Sequence, residues 1–126
     1  MNLAQALQAR KLSLLEDMRQ ARRTIILDVA TAVIDGTPVK TGALRGSWQG
    51  SIEAPILDSI PRLDPSGELP KAQVASLPVS LSNDIYLANS LPYAERIEYG
   101  YSQQAPAGMV RVNIAGRANI QFNLEN

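Results

Sequence analysis

Two carboxylates three residues apart, Glu95 and Glu98, are the nearest this sequence comes to a catalytic pair. That spacing puts both on one face of a helix, where acid–base chemistry or a bound metal ion would need them. Nothing else converges on the pair: the 126 residues include no His and no Cys. No Asp-x-Asp loop or Gly-framed calcium ligand order accompanies it either. A solvated or Arg96-paired face is the simpler expectation.

Three further patterns fare no better. Asp35-Gly36-Thr37 has the residue order of the aspartic-protease triplet, but it ends an amphipathic run and has no second copy. Helix capping explains it. Thr41-Gly42 and Gly46-Ser47 form no phosphate cradle, because neither G-x-x-x-x-G-K nor G-x-G-x-x-G is present and Lys40 precedes its glycine. Without His or Cys there is no zinc site on those ligands, no disulfide, no Ser-His or Cys-His nucleophile and no thiolate redox centre. No enzyme, metal or cofactor is expected.

Charge is balanced, 12 Lys+Arg against 12 Asp+Glu, which gives no global case for nucleic acid or membrane binding. The distribution is uneven, however. Arg10, Lys11, Arg19, Arg22 and Arg23 outnumber Glu16 and Asp17, and Arg19, Arg22 and Arg23 can form one ridge. Such a ridge could meet DNA phosphates, pair with acidic residues of an adjacent subunit, or stay solvated. No aromatics interleave it, so stacking on single strands is not expected.

The elements that position these residues begin with one long helix. Leu14, Met18, Ala21, Ile25, Val29 and Val33 follow at steps of three and four, and Leu7 extends the stripe backwards. No Pro or Gly interrupts before Gly36, which suits a left-handed C-cap, with Pro38 just beyond. The helix is predicted from about Leu3 to Asp35. At about 1.5 Å per residue it is on the order of 50 Å long, against a diameter near 35–40 Å for a compact chain of this size. The N-terminal end, with Leu3, Leu7 and Leu14, either overhangs and takes apolar cover from another chain, or frays.

Beyond it, Thr41 is placed to cap a short helical turn, with Leu44 and Trp48 four apart anchoring it. Trp48 to Ile52 reads as a strand entry. Residues 53–78 hold or border five of the eight prolines, together with Ile56, Leu57, Ile60 and Leu63. They are expected to form an extended arm lying on a neighbouring subunit, or a disordered loop. Val79–Ser82 and Asp84–Asn89 alternate like antiparallel strands. Pro92 opens a helical turn stopped by Gly100, on which Tyr93, Ile97 and Tyr101 would face one way. Met109–Leu124 fits either strand or helix. The fold class expected is α+β: a single unit of residues 1–126, with a long N-terminal helix (1–35) packed on a small antiparallel sheet, one or two short helices and a proline-bearing arm.

Two stretches then look alike to one family. Thr37-Pro38-Val39-Lys40-Thr41-Gly42-Ala43-Leu44-Arg45-Gly46-Ser47-Trp48 resembles the Pro, Thr-Gly-x-Leu-Arg-x-Ser signature of small tailed-bacteriophage neck proteins. Residues 92–100, Pro-Tyr-Ala-Glu-Arg-Ile-Glu-Tyr-Gly, with Gln104–Arg111, are similar to the second signature of the same head-tail joining, or tail-completion, family. The resemblance covers most of residues 15–115; residues 52–77 and those after Ala115 match nothing.

This likeness implies a structural virion protein, made in the host cytoplasm and placed at the head–tail interface. It implies a ring of copies, a hexamer or dodecamer, around the channel that packaged DNA crosses. Its partners would be a head-closure or connector protein and a tail terminator or tail tube protein; a terminator ring capping the tube is the alternative role. It implies no catalysis and no membrane. The signature residues Gly36, Pro38, Thr41, Gly42, Leu44, Trp48, Tyr93 and Gly100 would be local folding devices. Specificity would lie in Leu3, Leu7 and Leu14 of the helix and Ile56, Leu57, Ile60 and Leu63 of the arm. Arg19, Arg22 and Arg23 would meet DNA or a neighbouring subunit.

Overall fold

A computed structural model describes residues 2–58, 61–100 and 102–115. It has the expected α+β composition, dominated by helix α1, Leu3–Asp35. The bounds match the sequence reading because both ends are chemically marked. Asn2 and Gln5 form a reciprocal capping box, Gln5 N–H donating to Asn2 Oδ1 at 2.9 Å and Asn2 N–H to Gln5 Oε1 at 3.0 Å. Residues 3–12 are mostly Ala, Leu, Gln, Arg and Lys, the strongest helix formers. At the other end Gly36 closes the helix in a right-handed conformation (φ −76°), not the left-handed one expected. Its small size serves a different purpose there: a Cβ would lie 2.7 Å from Asn113 Nδ2 and 3.0 Å from Ala32 O.

The body is built on the C-terminal half of α1. Val33 and Ile34 pack with Leu44, Trp48, Leu91, Ala94 and Met109 in one buried cluster. At its centre sits a polar relay. Trp48 Nε1–H donates to Thr37 Oγ1 at 2.8 Å, and the Thr37 hydroxyl donates to Val33 O at 2.8 Å. Thr37 is 1% exposed, so both bonds replace water that cannot reach them. Beside it Arg45 donates to Asp35 O, to Thr37 O and to Pro65 O. A guanidinium on the last carbonyls of a helix also complements its dipole.

Helix α2, Ala43–Gly46, presents Leu44 and Arg45 to this core. Gly42 precedes it at φ +88°, and a Cβ there would meet Pro65 N at 2.5 Å, so the position requires glycine for backbone and space alike. Strand β1, Gln49–Ser51, pairs antiparallel with β2, Tyr86–Ala88, in a two-stranded sheet with Gly50 opposite Leu87. The earlier alternating stretch, 79–82, forms no strand. It is held instead as a turn in which Ser80 N–H donates to Asn83 Oδ1 and Asn83 Nδ2 to Pro78 O.

The expected extended arm is corrected most. Its second half is helix α3, Glu68–Ser76, packed on α1 and on β1. Pro70 lies in the first helical turn, where its missing N–H costs nothing. Asp64 starts the helix: its carboxylate accepts from Ser66 N–H, Ser66 hydroxyl and Leu69 N–H. Ser66's hydroxyl first, then Leu69's N–H, hold that carboxyl below its usual range. The segment before it is pinned by Arg62, whose side chain donates to Gly46 O and Trp48 O at 2.8 Å each. Five short prolines and a turn signal therefore describe a chain folded onto its own body. With α4, Ala94–Glu98, and α5, Val110–Ala115, four short helices accompany α1 among the described residues, against the one or two expected.

Replacing Thr37 with Val keeps the shape but leaves the Trp48 indole N–H buried without an acceptor. Urea unfolding followed by the fluorescence of Trp48 is expected to show a loss of about 1–3 kcal/mol; no loss would remove the relay from the core's account.

Candidate assembly surfaces

The first surface is the N-terminal half of α1. Residues 3–18 are all exposed, and Arg19 is the first whose side chain meets the rest of the chain. Leu3, Leu7, Leu14 and Met18 are 76%, 63%, 44% and 56% exposed. At 3.6 residues per turn these four lie within an arc of about 60°. Ala21, Ile25 and Val29 continue the same stripe into the body. What the body covers over the second half of the helix is bare over the first. Leu12 and Leu15 flank the stripe and are also exposed.

The second is the basic ridge, whose guanidiniums are engaged. Arg19 pairs with Glu16 at 2.7 Å and donates to Val79 O. Arg22 donates to Ser80 O and to Asn83 O and Oδ1, and Arg23 to Leu77 O and Ala75 O. The three arginines thus strap residues 75–83 along the helix. The Arg19 bond, then that of Gln20, lowers the Glu16 carboxyl from 4.5 to about 2.

The remaining expected interface residues scatter. Leu57 and Leu63 are 75% and 70% exposed, Ile56 is half-buried with its carbonyl accepting from Ser90 Oγ, and Ile60 lies outside the described residues.

The two signature segments meet. Pro38, Lys40 and Thr41 form one wall of a cleft of about 970 Å³, and Tyr93, Ile97 and Gln104 the other. Gln104 bridges the segments as a strand would, accepting from Val39 N–H at 3.0 Å and donating to Val39 O at 3.2 Å. Thr41 Oγ1 accepts from Ala43 N–H at 3.3 Å, but it stands one residue before the helix's cap, which is Gly42 and has no side chain to cap with. The expected Thr41 cap is thus corrected to a turn contact. Leu44 and Trp48 are buried as expected. Tyr93 is not: at 43% exposed it lines the cleft rather than the core. Gly100, at φ +95°, follows α4 as the stop it was expected to be, and Tyr101 lies outside the described residues.

Glu98 has a role the sequence reading missed. Its carboxylate accepts from Met109 N–H and Val110 N–H at 2.7 Å and from Arg111 N–H at 3.0 Å, capping α5 from another helix. Arg111 Nε donates back at 2.9 Å while its guanidinium sits 4.6 Å from the Tyr99 ring centre. Glu95 takes no part in this cap. Among the described residues no group of three or more Asp, Glu, His or Cys could hold a metal ion. No helix among them is long and apolar enough to cross a membrane.

Burial pushes the Glu98 carboxyl up, but the N–H groups of Val110, Arg111 and Met109 and the Arg111 guanidinium outweigh it. The net is a fall from 4.5 to about 2. A folded-state value below the unfolded one stabilises above the unfolded pKa and is lost as pH falls through the folded one. The Met109 and Val110 amide resonances are therefore expected to titrate with a midpoint near 2. In Glu98→Gln that transition should vanish and α5 should exchange its amides faster at pH 7. A midpoint near 4.5 would contradict the cap.

Neutralising Arg22 and Arg23 together should release residues 75–83 to proteolysis well before the α1 C-terminal half. Unchanged cleavage there would mean the straps hold nothing.

No family model matches the chain, and neither does any curated protein or solved structure.

Proposed function

We propose that the chain is a structural virion protein of the phage neck, one subunit of a ring that joins the DNA-filled head to the tail. The observation that carries this reading is the bare stripe on α1: a 33-residue helix whose first half exposes six large apolar side chains that no other described residue covers. The likeness of residues 37–48 and 92–111 to the two neck-protein signatures, in the same order, supports it. So does their convergence on one cleft.

The physical role in this reading is assembly. A fully buried Leu or Met is worth about 1.5–3 kcal/mol, so covering the four-residue stripe yields roughly 6–12 kcal/mol gross. Association costs about 4–15 kcal/mol. One such contact is marginal, whereas a closed ring gives every subunit two at a lower entropy cost per contact. A head-to-tail interface that closes is the geometry such a subunit requires. Arg19, Arg22 and Arg23 serve this reading as internal straps, which disfavours the alternative of a DNA-contacting helper that would use them on phosphates.

Native mass measurement of the intact chain across a concentration series tests the proposal. Closed oligomers of one size are expected, and Leu7→Glu with Leu14→Glu should yield monomers that unfold at an unchanged temperature, since neither side chain is in the core. A wild-type chain monomeric at every concentration would overturn the ring, and so would oligomers that survive the double substitution.

A further inference from the structure

We propose that an apolar hollow beside α1 is the socket of the head-to-tail contact, and that its occupant is the tip of α1, Leu3 and Leu7, of a second copy. The proposal rests on the ring reading, in which each subunit carries a knob and a different surface to receive one. The hollow, about 220 Å³, is floored by Val74 of α3 and walled by Ile25, Ile26 and Val29 of α1 with Ile85 and Leu87. Val74 is buried, but the five wall residues are only half-buried, aliphatic though they are. An apolar cavity of about 150 Å³ holds a benzene-sized group, so this one has room for a leucine side chain.

The hollow is the far end of the bare stripe. Leu3, Leu14 and Ile25 follow at intervals of eleven residues, as do Leu7, Met18 and Val29. Eleven residues make almost three whole turns, so Leu3 and Leu7 stand on the same side of α1 as Ile25 and Val29. The tip cannot reach the hollow of its own chain. Along one uninterrupted helix, Leu7 is about 27 Å from Ile25 and Leu3 about 39 Å from Val29. Another molecule has to supply the knob.

Charge selects this hollow over the larger cleft between the signature segments. Residues 2–9 carry no charged side chain, and the hollow is lined by none. The cleft has Lys40, Gln103 and Gln104 in its walls, whereas the first acidic residue of α1 is Glu16, already paired with Arg19. An apolar tip seated there would strand Lys40 without a partner. Seated in the hollow, it continues the contact that the stripe begins, as an amphipathic helix lays its apolar face in an apolar groove.

The chain contains no Cys, so single engineered thiols report one contact at a time. Leu3→Cys and Ile85→Cys are made in separate chains, one of them isotope-labelled so that the mixed product is read by mass. They are combined at a concentration where native mass shows wild-type oligomers, and joined with a short bismaleimide. This pair is expected to cross-link at least roughly tenfold faster than Ala9→Cys with Ile85→Cys, because docking concentrates only the thiols that meet. Ala9 is exposed on the other side of the same turns. Ile25→Cys in place of Ile85→Cys repeats the test from the opposite wall. Equal rates for the Leu3 and Ala9 pairs, with wild-type oligomers present, would overturn the socket and leave the ring reading standing. Wild type that stays monomeric throughout would overturn both. A chain carrying Leu3→Cys and Ile85→Cys together should yield covalent products longer than two copies; a product that stops at two would overturn the head-to-tail arrangement.

Discussion

The carbonyls at the C-terminal end of α1 are what the rest of this molecule is assembled around. A helix ends with four carbonyls that have no partner inside it, and here a buried end makes each of them a liability. Arg45 takes Asp35 O and, two residues on, Thr37 O, while the Thr37 hydroxyl returns to Val33 O and receives the Trp48 indole. The residues that satisfy this end all come from the segment immediately following it. The first signature stretch is in effect the lid of its own helix. Once that lid is in place, Leu44 and Trp48 sit against Val33 and Ile34, and α4 and α5 close over the same cluster. Anchoring the body at one end of a rod about 50 Å long leaves the opposite end beyond its reach.

Backbone carbonyls recur as the targets of charge in this chain. Arg45 and Arg62 fix the loops around α2, and Arg19, Arg22 and Arg23 fix residues 75–83. Loops without regular hydrogen bonding need some partner for their polar groups. Guanidinium forks supply several donors from one side chain, so a chain with little sheet can still hold its loops in register. The ridge that the sequence left open to phosphates, a neighbouring subunit or solvent thus has its guanidiniums engaged as internal scaffolding.

Local periodicity made α1 legible, since Ala21, Ile25, Val29 and Val33 carry one stripe through its second half and Gly36 marks its end. The same stripe revealed the overhang, because length and step count need no tertiary information. What stayed hidden depended on distant partners. Pro65 and Pro70 look like loop residues until Asp64 is seen capping a helix whose first turn accommodates Pro70; the Asp64-x-Ser66 spacing was the available signal. Val79–Ser82 alternates like a strand but pairs with no strand among the described residues, and Asn83 draws it into a turn. Tyr93 had the composition of a core residue, yet the core was already filled by Leu91 and Ala94 on either side of it. Glu98 was visible only as half of an acidic pair, because its three N–H donors lie eleven to thirteen residues away.

In the proposed ring, core and interface divide along α1: the C-terminal half carries the subunit's core and the N-terminal half belongs to the interface. The most direct measurement is amide exchange along α1, first in dilute solution and then in the assembled particle. Residues 25–35 should be slow in both, while residues 5–16 should exchange rapidly when dilute and become protected on assembly. Protection of residues 5–16 in an isolated single chain, or rapid exchange there inside the assembled particle, would contradict the claim that another molecule covers this half of the helix.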